Sequence, residues 1–122
     1  MSDDPDVEEF IRIYIPSIWA LELLIVLQRD PGRAWTAPAL VKELRASAGL
    51  VDDNLSRFER HGLVLKNEAG WRFQPANPRL ALLVAGLSNL YRGRPTHVMS
   101  LIARSDALRS FADAFRIKKD ET

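Results

Sequence analysis

Two patterns of apolar residues at helical spacing lie side by side in the middle of the chain. The first consists of Leu40, Val41 and Leu44, and the second of Val51, Leu55 and Phe58. Thr36 precedes the first pattern and Ser47 the second, and each hydroxyl can cap a helix by accepting a hydrogen bond from a backbone N–H group. The sequence therefore predicts two short helices joined by a tight turn within residues 36–60.

A β-hairpin is predicted directly after the second helix. His61 and Gly62 end that helix, because glycine tolerates the left-handed conformation found at many helix ends. Two short strands over residues 63–66 and 71–74 then flank a polar four-residue connection, 67–70.

A brief third strand is predicted over residues 34–36, before the first helix of this region. If this strand pairs with the hairpin, Trp35 and Trp71 become neighbours. Cross-strand aromatic packing then explains both tryptophans without a ligand.

Further helices are predicted on both sides of this region. Their positions are residues 7–15, 18–29, 78–91 and 98–102, with a last helix after Ser105. Ser17 and Asn77 are expected to cap the second and third of these helices. Helix 18–29 has almost no polar face, so it must be covered on more than one side.

Two helices followed by a hairpin resemble a winged helix-turn-helix. Residues 47–64, which end in Arg-Phe-Glu-Arg-His-Gly-Leu-Val, resemble the recognition helix and wing entry of bacterial MarR-like regulators. The resemblance implies a mainly α fold with a small β-hairpin, in one domain over residues 1–122. In that plan an N-terminal helical arm (1–33) precedes a winged core (34–75) and a C-terminal helical tail (76–122).

The resemblance also implies a homodimer, because MarR-like proteins use their terminal helices to dimerise. The apolar segments 18–27 and 80–90 are expected to present more apolar face than a winged core buries. The residues expected at the subunit interface are Trp19, Leu24, Leu87 and Phe111.

Double-stranded DNA is the first partner that the resemblance implies, for a transcriptional regulator. The residues expected to bind nucleic acid are Ser56, Arg57, Arg60, Lys66 and Arg72, with Arg33, Lys42 and Arg45 as further cations within reach of phosphates. Arginine and lysine side chains supply the phosphate contacts that dominate affinity for DNA. Arg57 and Arg60 have a second interpretation as partners of Asp53 at helical spacing.

The alternative is a winged-helix module that has lost DNA readout and binds another protein. The base-facing positions of the family fall here on Gly49, Leu50, Asp52 and Asp53, where the family usually has Ser, Thr, Arg or Lys. Two adjacent aspartates repel phosphates. A second interpretation is that they complement the helix dipole from its first turn, which still leaves negative charge where phosphates would approach. In this alternative Leu50, Asp52, Asp53 and the hairpin contact the protein partner. Asn54 lies where an apolar residue is expected, and it either caps a neighbouring backbone group or loosens the helix.

Composition narrows the classes of function. The chain has 122 residues, no cysteine, two histidines and a formal net charge of +1. The histidines lie far apart and no glycine-rich phosphate loop or nucleophile motif is present, so we expect no enzyme, no metal and no cofactor. The small net charge gives no general attraction to nucleic acid or membranes, and absence of cysteine fits a reducing cytoplasm. A ligand cavity between the winged core and the helical tail is a further hypothesis.

Overall fold

Helices make up most of the described chain, which comprises residues 5–104 of a computed structural model. The helices are α1 (Pro5–Tyr14), α2 (Ile18–Arg29), α3 (Ala37–Leu44), α4 (Ala48–Arg60) and α5 (Pro78–Gly93), and the strands are β1 (Val64–Asn67) and β2 (Gly70–Phe73). A further helix, α6, begins at residue 95 and reaches residue 104, the last residue described. The prediction of a mainly helical fold with one small antiparallel sheet is confirmed, and the order of elements is compatible with a winged-helix layout. The predicted helix after Ser105 lies outside the described residues.

Side-chain caps determine where four of these helices begin. Ser17, Thr36, Ser47 and Asn77 each accept a hydrogen bond of 2.9–3.2 Å from the backbone N–H three residues later. These contacts confirm the four predicted starts. The starts could be predicted from the sequence because a cap and its partner are close neighbours in the chain. The end of α5 differs slightly from the prediction, since this helix continues to Gly93.

Helix α2 forms the centre of the hydrophobic core. It packs against α3, α4 and β2, and its residues Leu21, Leu24 and Leu27 have no exposed surface. On the side facing α5, the Tyr91 hydroxyl donates a hydrogen bond of 2.9 Å to Glu22 Oε1. This hydrogen bond, together with burial, raises the pKa of Tyr91.

The structure corrects the placement of two residues expected at a subunit interface. Leu24 and Leu87 have no exposed surface, because other parts of the same chain already cover them. The sequence pattern showed that α2 needs cover on several sides, but it did not show which elements supply that cover. In this conformation neither leucine can contact a second subunit. Trp19 remains 42% exposed, and Phe111 lies outside the described residues.

Helix α1 packs closely on α5 at Gly86. A Cβ atom added to this glycine would lie 2.7 Å from Val7 Cγ2, so the missing side chain allows the two helices to approach. At the next residue of α1, Glu8 Oε2 lies 3.1 Å from His97 Nε2 on α6. The N-terminal helix is thereby attached to the two helices that follow the hairpin.

No single helix within residues 5–104 is long and apolar enough to cross a membrane. Helices α1 and α2 reach that length only together, across a bend of 114°.

The hairpin connection is shorter than predicted. Asn67 pairs with Gly70 at the end of the antiparallel ladder, so only Glu68 and Ala69 connect the strands, rather than the four residues 67–70. The cause is the Asn67 side chain, whose Oδ1 accepts hydrogen bonds from the backbone N–H groups of Ala69 (2.9 Å) and Gly70 (3.2 Å). Such a side-chain turn closes the chain tightly enough for both end residues to join the strands.

The predicted third strand is present as a single bridge. Trp35 and Trp71 exchange two backbone hydrogen bonds of 2.7 Å, and both side chains are buried. The prediction that these tryptophans are neighbours is confirmed, and we call them the indole pair. Gly70 makes the bridge possible, because an added Cβ atom would overlap the carbonyl group of Trp35.

Candidate nucleic-acid interface

Helix α4 presents one face to the core and the opposite face to solvent. Its buried side chains are Val51, Asn54, Leu55 and Phe58. The exposed residues of α4 are Ala48, Gly49, Leu50, Asp52, Asp53, Ser56, Glu59 and Arg60. A short turn joins α3 to α4, and Arg45 in this turn adopts the left-handed conformation with φ of 56°. Helix α4 is therefore held by apolar packing and leaves a complete outer face available for a partner.

The role of Asn54 is resolved by its hydrogen bond. Its Nδ2 atom donates to the backbone carbonyl of Leu50 over 2.9 Å, four residues earlier in the same helix. The polar side chain is thus satisfied within α4 although it is only 6% exposed. Asn54 therefore bonds to a backbone group of α4 itself and not to another segment.

The N-terminal half of α4 carries negative charge. Asp52 and Asp53 are exposed, and within residues 5–104 neither forms an ion pair. Since α4 begins at Ala48, both aspartates lie in the second turn of the helix rather than the first. The dipole effect falls off within the first turn, so the expected complement to the dipole does not explain them. Their charge faces any ligand that approaches this end of the helix.

Cations are confined to the C-terminal half of α4. Arg60 and Ser56 are exposed and Arg57 is half-buried. The described part of the chain contains no ion pair between Asp53 and either arginine, so the alternative interpretation of these arginines as its partners is not realised. Both guanidinium groups are available for phosphates. Lys42 on α3 and Arg45 in the following turn are exposed as well.

The two cations predicted on the hairpin lie on opposite faces of it. Lys66 is directly opposite Trp71 in the strand register, whereas Arg72 is opposite Leu65. Directly opposed residues share a face and successive residues alternate, which separates Lys66 from Arg72. Arg72 is also half-buried, and its Nε atom has no hydrogen-bond acceptor among the described residues. The predicted nucleic-acid-binding residues therefore do not form one continuous patch.

Arg33 joins Lys66 on the face that carries the indole pair. The Arg33 guanidinium carbon lies 3.6 Å from the centre of the Trp35 ring, and Lys66 Nζ lies 5.3 Å from the centre of the Trp71 ring. Sequence reasoning placed Arg33 near phosphates but did not connect it with Lys66. The signal was present in the predicted third strand, because Arg33 lies two residues before Trp35.

Leu50 and Trp19 meet beside the acidic end of α4. They are 38% and 42% exposed and border the same crevice between α2 and α4, which is too narrow for a water molecule. Leu50 was expected in a protein interface and Trp19 in a dimer interface. The structure brings these two residues into one apolar surface.

His61, the residue at the C-terminal end of α4, favours the neutral imidazole. Its pKa is lowered mainly by burial and further by the positive charges of Arg57 and Arg60. The ring packs edge-on against Tyr14, with 4.6 Å between ring centres. Because the unfolded chain binds a proton more readily, protonation of His61 opposes folding below its ordinary pKa of 6.5.

The His61→Phe variant is expected to reduce the loss of stability in mild acid. Phenylalanine keeps an aromatic ring against Tyr14 but cannot titrate. Urea unfolding at about pH 7.5 and about pH 5.5 measures the difference between the two proteins. We expect wild type to lose more unfolding free energy than His61→Phe between these values. Equal losses would show that His61 does not contribute to the pH dependence.

A groove lies between α1 and α5 and has a volume of about 370 Å³. Phe10, Ile13, Tyr14 and Leu83 contribute to it, with Arg79 at its edge. It thus lies between the predicted arm and tail, and not between core and tail as hypothesised. No group of three or more metal-ligating side chains occurs within residues 5–104.

Comparisons with protein-family models, curated proteins and solved structures found no match to this chain.

Proposed function

We propose that the chain is a DNA-binding transcriptional regulator of the winged helix-turn-helix type, with α4 as recognition helix and the hairpin as wing. The observation that carries this proposal is the exposed outer face of α4. The helix itself packs on α3 and is followed directly by the hairpin. A helix of 13 residues is about 20 Å long and fits the major groove of B-DNA. We further propose that it acts in the cytoplasm as a homodimer.

The distribution of charge indicates how such a protein would hold DNA. Cations lie at the C-terminal half of α4 and on the hairpin, while the N-terminal half carries Asp52 and Asp53. Contacts with the phosphate backbone would therefore supply most of the affinity, and direct readout of bases by α4 would be weak. An aspartate can accept a hydrogen bond from a cytosine amino group.

A salt titration of binding to random-sequence duplex tests the proposal. Phosphate contacts release counterions, so the logarithm of the affinity falls linearly with the logarithm of the salt concentration, by about 0.9 for each phosphate neutralised. We expect measurable binding at low ionic strength and a slope that corresponds to a few phosphates. Absence of binding at low ionic strength would reject DNA as the ligand.

The double variant Asp52→Asn/Asp53→Asn is expected to bind duplex several-fold more tightly at low salt. A unit charge about 8 Å from a phosphate, at an effective dielectric constant near 40, contributes about 1 kcal/mol of repulsion before screening. Glu9→Gln removes one exposed charge from α1 and serves as the control for net charge, and twice its change in binding free energy is the control value for the double variant, which removes two charges. A gain no larger than this control value would show that the aspartates do not face DNA.

A second candidate function, protein binding, is favoured by the apolar surface of Trp19 and Leu50 beside Asp52 and Asp53. Exposed apolar groups next to unpaired acidic groups suit a partner with apolar and basic side chains. Under this alternative duplex binding is negligible at low ionic strength, and Asp52→Asn/Asp53→Asn does not create it.

A further inference from the structure

We propose that Arg33 and Lys66 form a phosphate-binding site on the indole-pair face of the hairpin, specific for the phosphodiester backbone of duplex DNA. This inference rests on the proposed function and identifies which side of the hairpin meets the DNA. It replaces Arg72 by Arg33 in the set of contacting cations.

The backbone places these two cations on the same side of a three-stranded arrangement. Lys66 is opposite Trp71, and Trp71 is opposite Trp35, so all three side chains share one face. Arg33 lies two residues before Trp35 and reaches back over its ring. Arg33 and Lys66 therefore belong to the two outer segments of this arrangement. The backbones of these segments are separated by two strand spacings of roughly 4.8 Å each.

The contact of Arg33 with the indole leaves its hydrogen-bonding groups free. A planar guanidinium that stacks on an aromatic ring uses its face and keeps its N–H groups at the edge, where they match the geometry of a phosphate. The contact also restricts a side chain that would otherwise lose rotamer entropy on binding. Arg33 is thus partly ordered for a phosphate before DNA arrives.

Neither cation is neutralised by a carboxylate within residues 5–104. The nearest acidic residues in sequence are Asp30, whose backbone carbonyl accepts from the Arg33 N–H, and Glu68 in the hairpin turn. Both cations are exposed, so a phosphate group can reach them from solvent.

Methionine substitutions test the two cations with little effect on packing. Arg33→Met and Lys66→Met remove the charge, but a flexible apolar side chain still covers the indole. The control Arg92→Met removes one exposed charge from α5, outside the hairpin. Each protein is titrated with random-sequence duplex between about 50 mM and about 200 mM salt. Thermal unfolding of each variant verifies that the fold is retained.

Each variant of the site is expected to lower the salt slope by about 0.9, and the double variant by about 1.8. Arg33→Lys is expected to keep the slope and to bind several-fold more weakly than wild type, because an ammonium group lacks the planar fork. Arg92→Met is expected to leave the slope unchanged.

The outcomes separate this inference from the proposed function. If wild type binds duplex and the slopes of Arg33→Met and Lys66→Met equal that of wild type, the phosphate site is refuted while DNA binding stands. An equal fall of the slope in Arg92→Met would also refute it, because the effect would then come from net charge. If wild type shows no binding at low ionic strength, both proposals fail.

Discussion

Gly70→Ala is expected to detach the strand at Trp35 from the hairpin and to lower the free energy of unfolding by about 3 kcal/mol. Gly70 has a φ of +134°, which residues other than glycine rarely adopt. Such backbone strain costs about 1–3 kcal/mol. In addition, the new Cβ atom would lie 2.7 Å from the carbonyl carbon of Trp35 and overlap its oxygen. The two bridging hydrogen bonds, each worth about 0.5–1.5 kcal/mol, would then break.

Urea unfolding and tryptophan emission together measure this effect. Loss of the bridge exposes the indole pair, so the emission of the folded variant should shift to longer wavelength. Gly49→Ala is the matched control, because an added Cβ atom there meets nothing within 4 Å and lies inside α4. Alanine at a helical position is expected to stabilise the control by up to about 1 kcal/mol. Equal stability of Gly70→Ala and wild type would contradict the role assigned to this glycine.

Local signals in the sequence were sufficient to predict where α2, α3, α4 and α5 begin, whereas α1 and α6 begin at residues 5 and 95, earlier than the predicted residues 7 and 98. Ser17, Ser47 and Asn77 cap their helices through atoms three residues away, so no knowledge of the tertiary fold is needed. The contact between Trp35 and Trp71 also followed from the strand pattern, once a third strand was assumed.

Features that depend on the register or on the packing of distant elements were not predictable in the same way. The Asn67 side chain shortens the hairpin connection, and the resulting register places Lys66 and Arg72 on opposite faces. The sequence around Leu24 and Leu87 is typical of a subunit interface, but the burial of these residues depends on which elements pack around them. Pattern alone shows that a residue is apolar and periodic, not whether its own chain or a second subunit covers it.

The candidate site shows the same division. The outward positions of Asp52, Asp53 and Arg60 could be predicted from helical periodicity, and all three side chains are exposed in the structure. The association of Arg33 with Lys66 follows from the predicted third strand only when the pairing of that strand with the hairpin and the register of the hairpin are both known. The resemblance to a winged helix-turn-helix directed attention to α4. Cations without a neutralising carboxylate lie beside the indole pair as well.

Leu24→Asp is expected to unfold the chain whatever its state of association. Replacing a fully buried leucine loses the transfer free energy of its side chain, about 1.5–3 kcal/mol. Desolvation of the unpaired carboxylate then costs several kcal/mol more. The sum is comparable with the total stability of a small domain, about 5–15 kcal/mol. Far-UV circular dichroism should therefore show little helix.

Trp19→Asp is the matched variant, because it places the same charge five residues earlier on α2 at a residue that is 42% exposed. The new carboxylate would lie in the first turn of the helix, after the Ser17 cap, where a negative charge favours the helix dipole. We expect this variant to remain helical and, if the chain is a homodimer through this surface, to sediment as a monomer at concentrations where wild type is dimeric. A folded, monomeric Leu24→Asp protein would show instead that Leu24 faces a second subunit, since only a residue that becomes solvent-exposed on dissociation tolerates the charge. A dimeric Trp19→Asp protein would exclude Trp19 from the subunit interface.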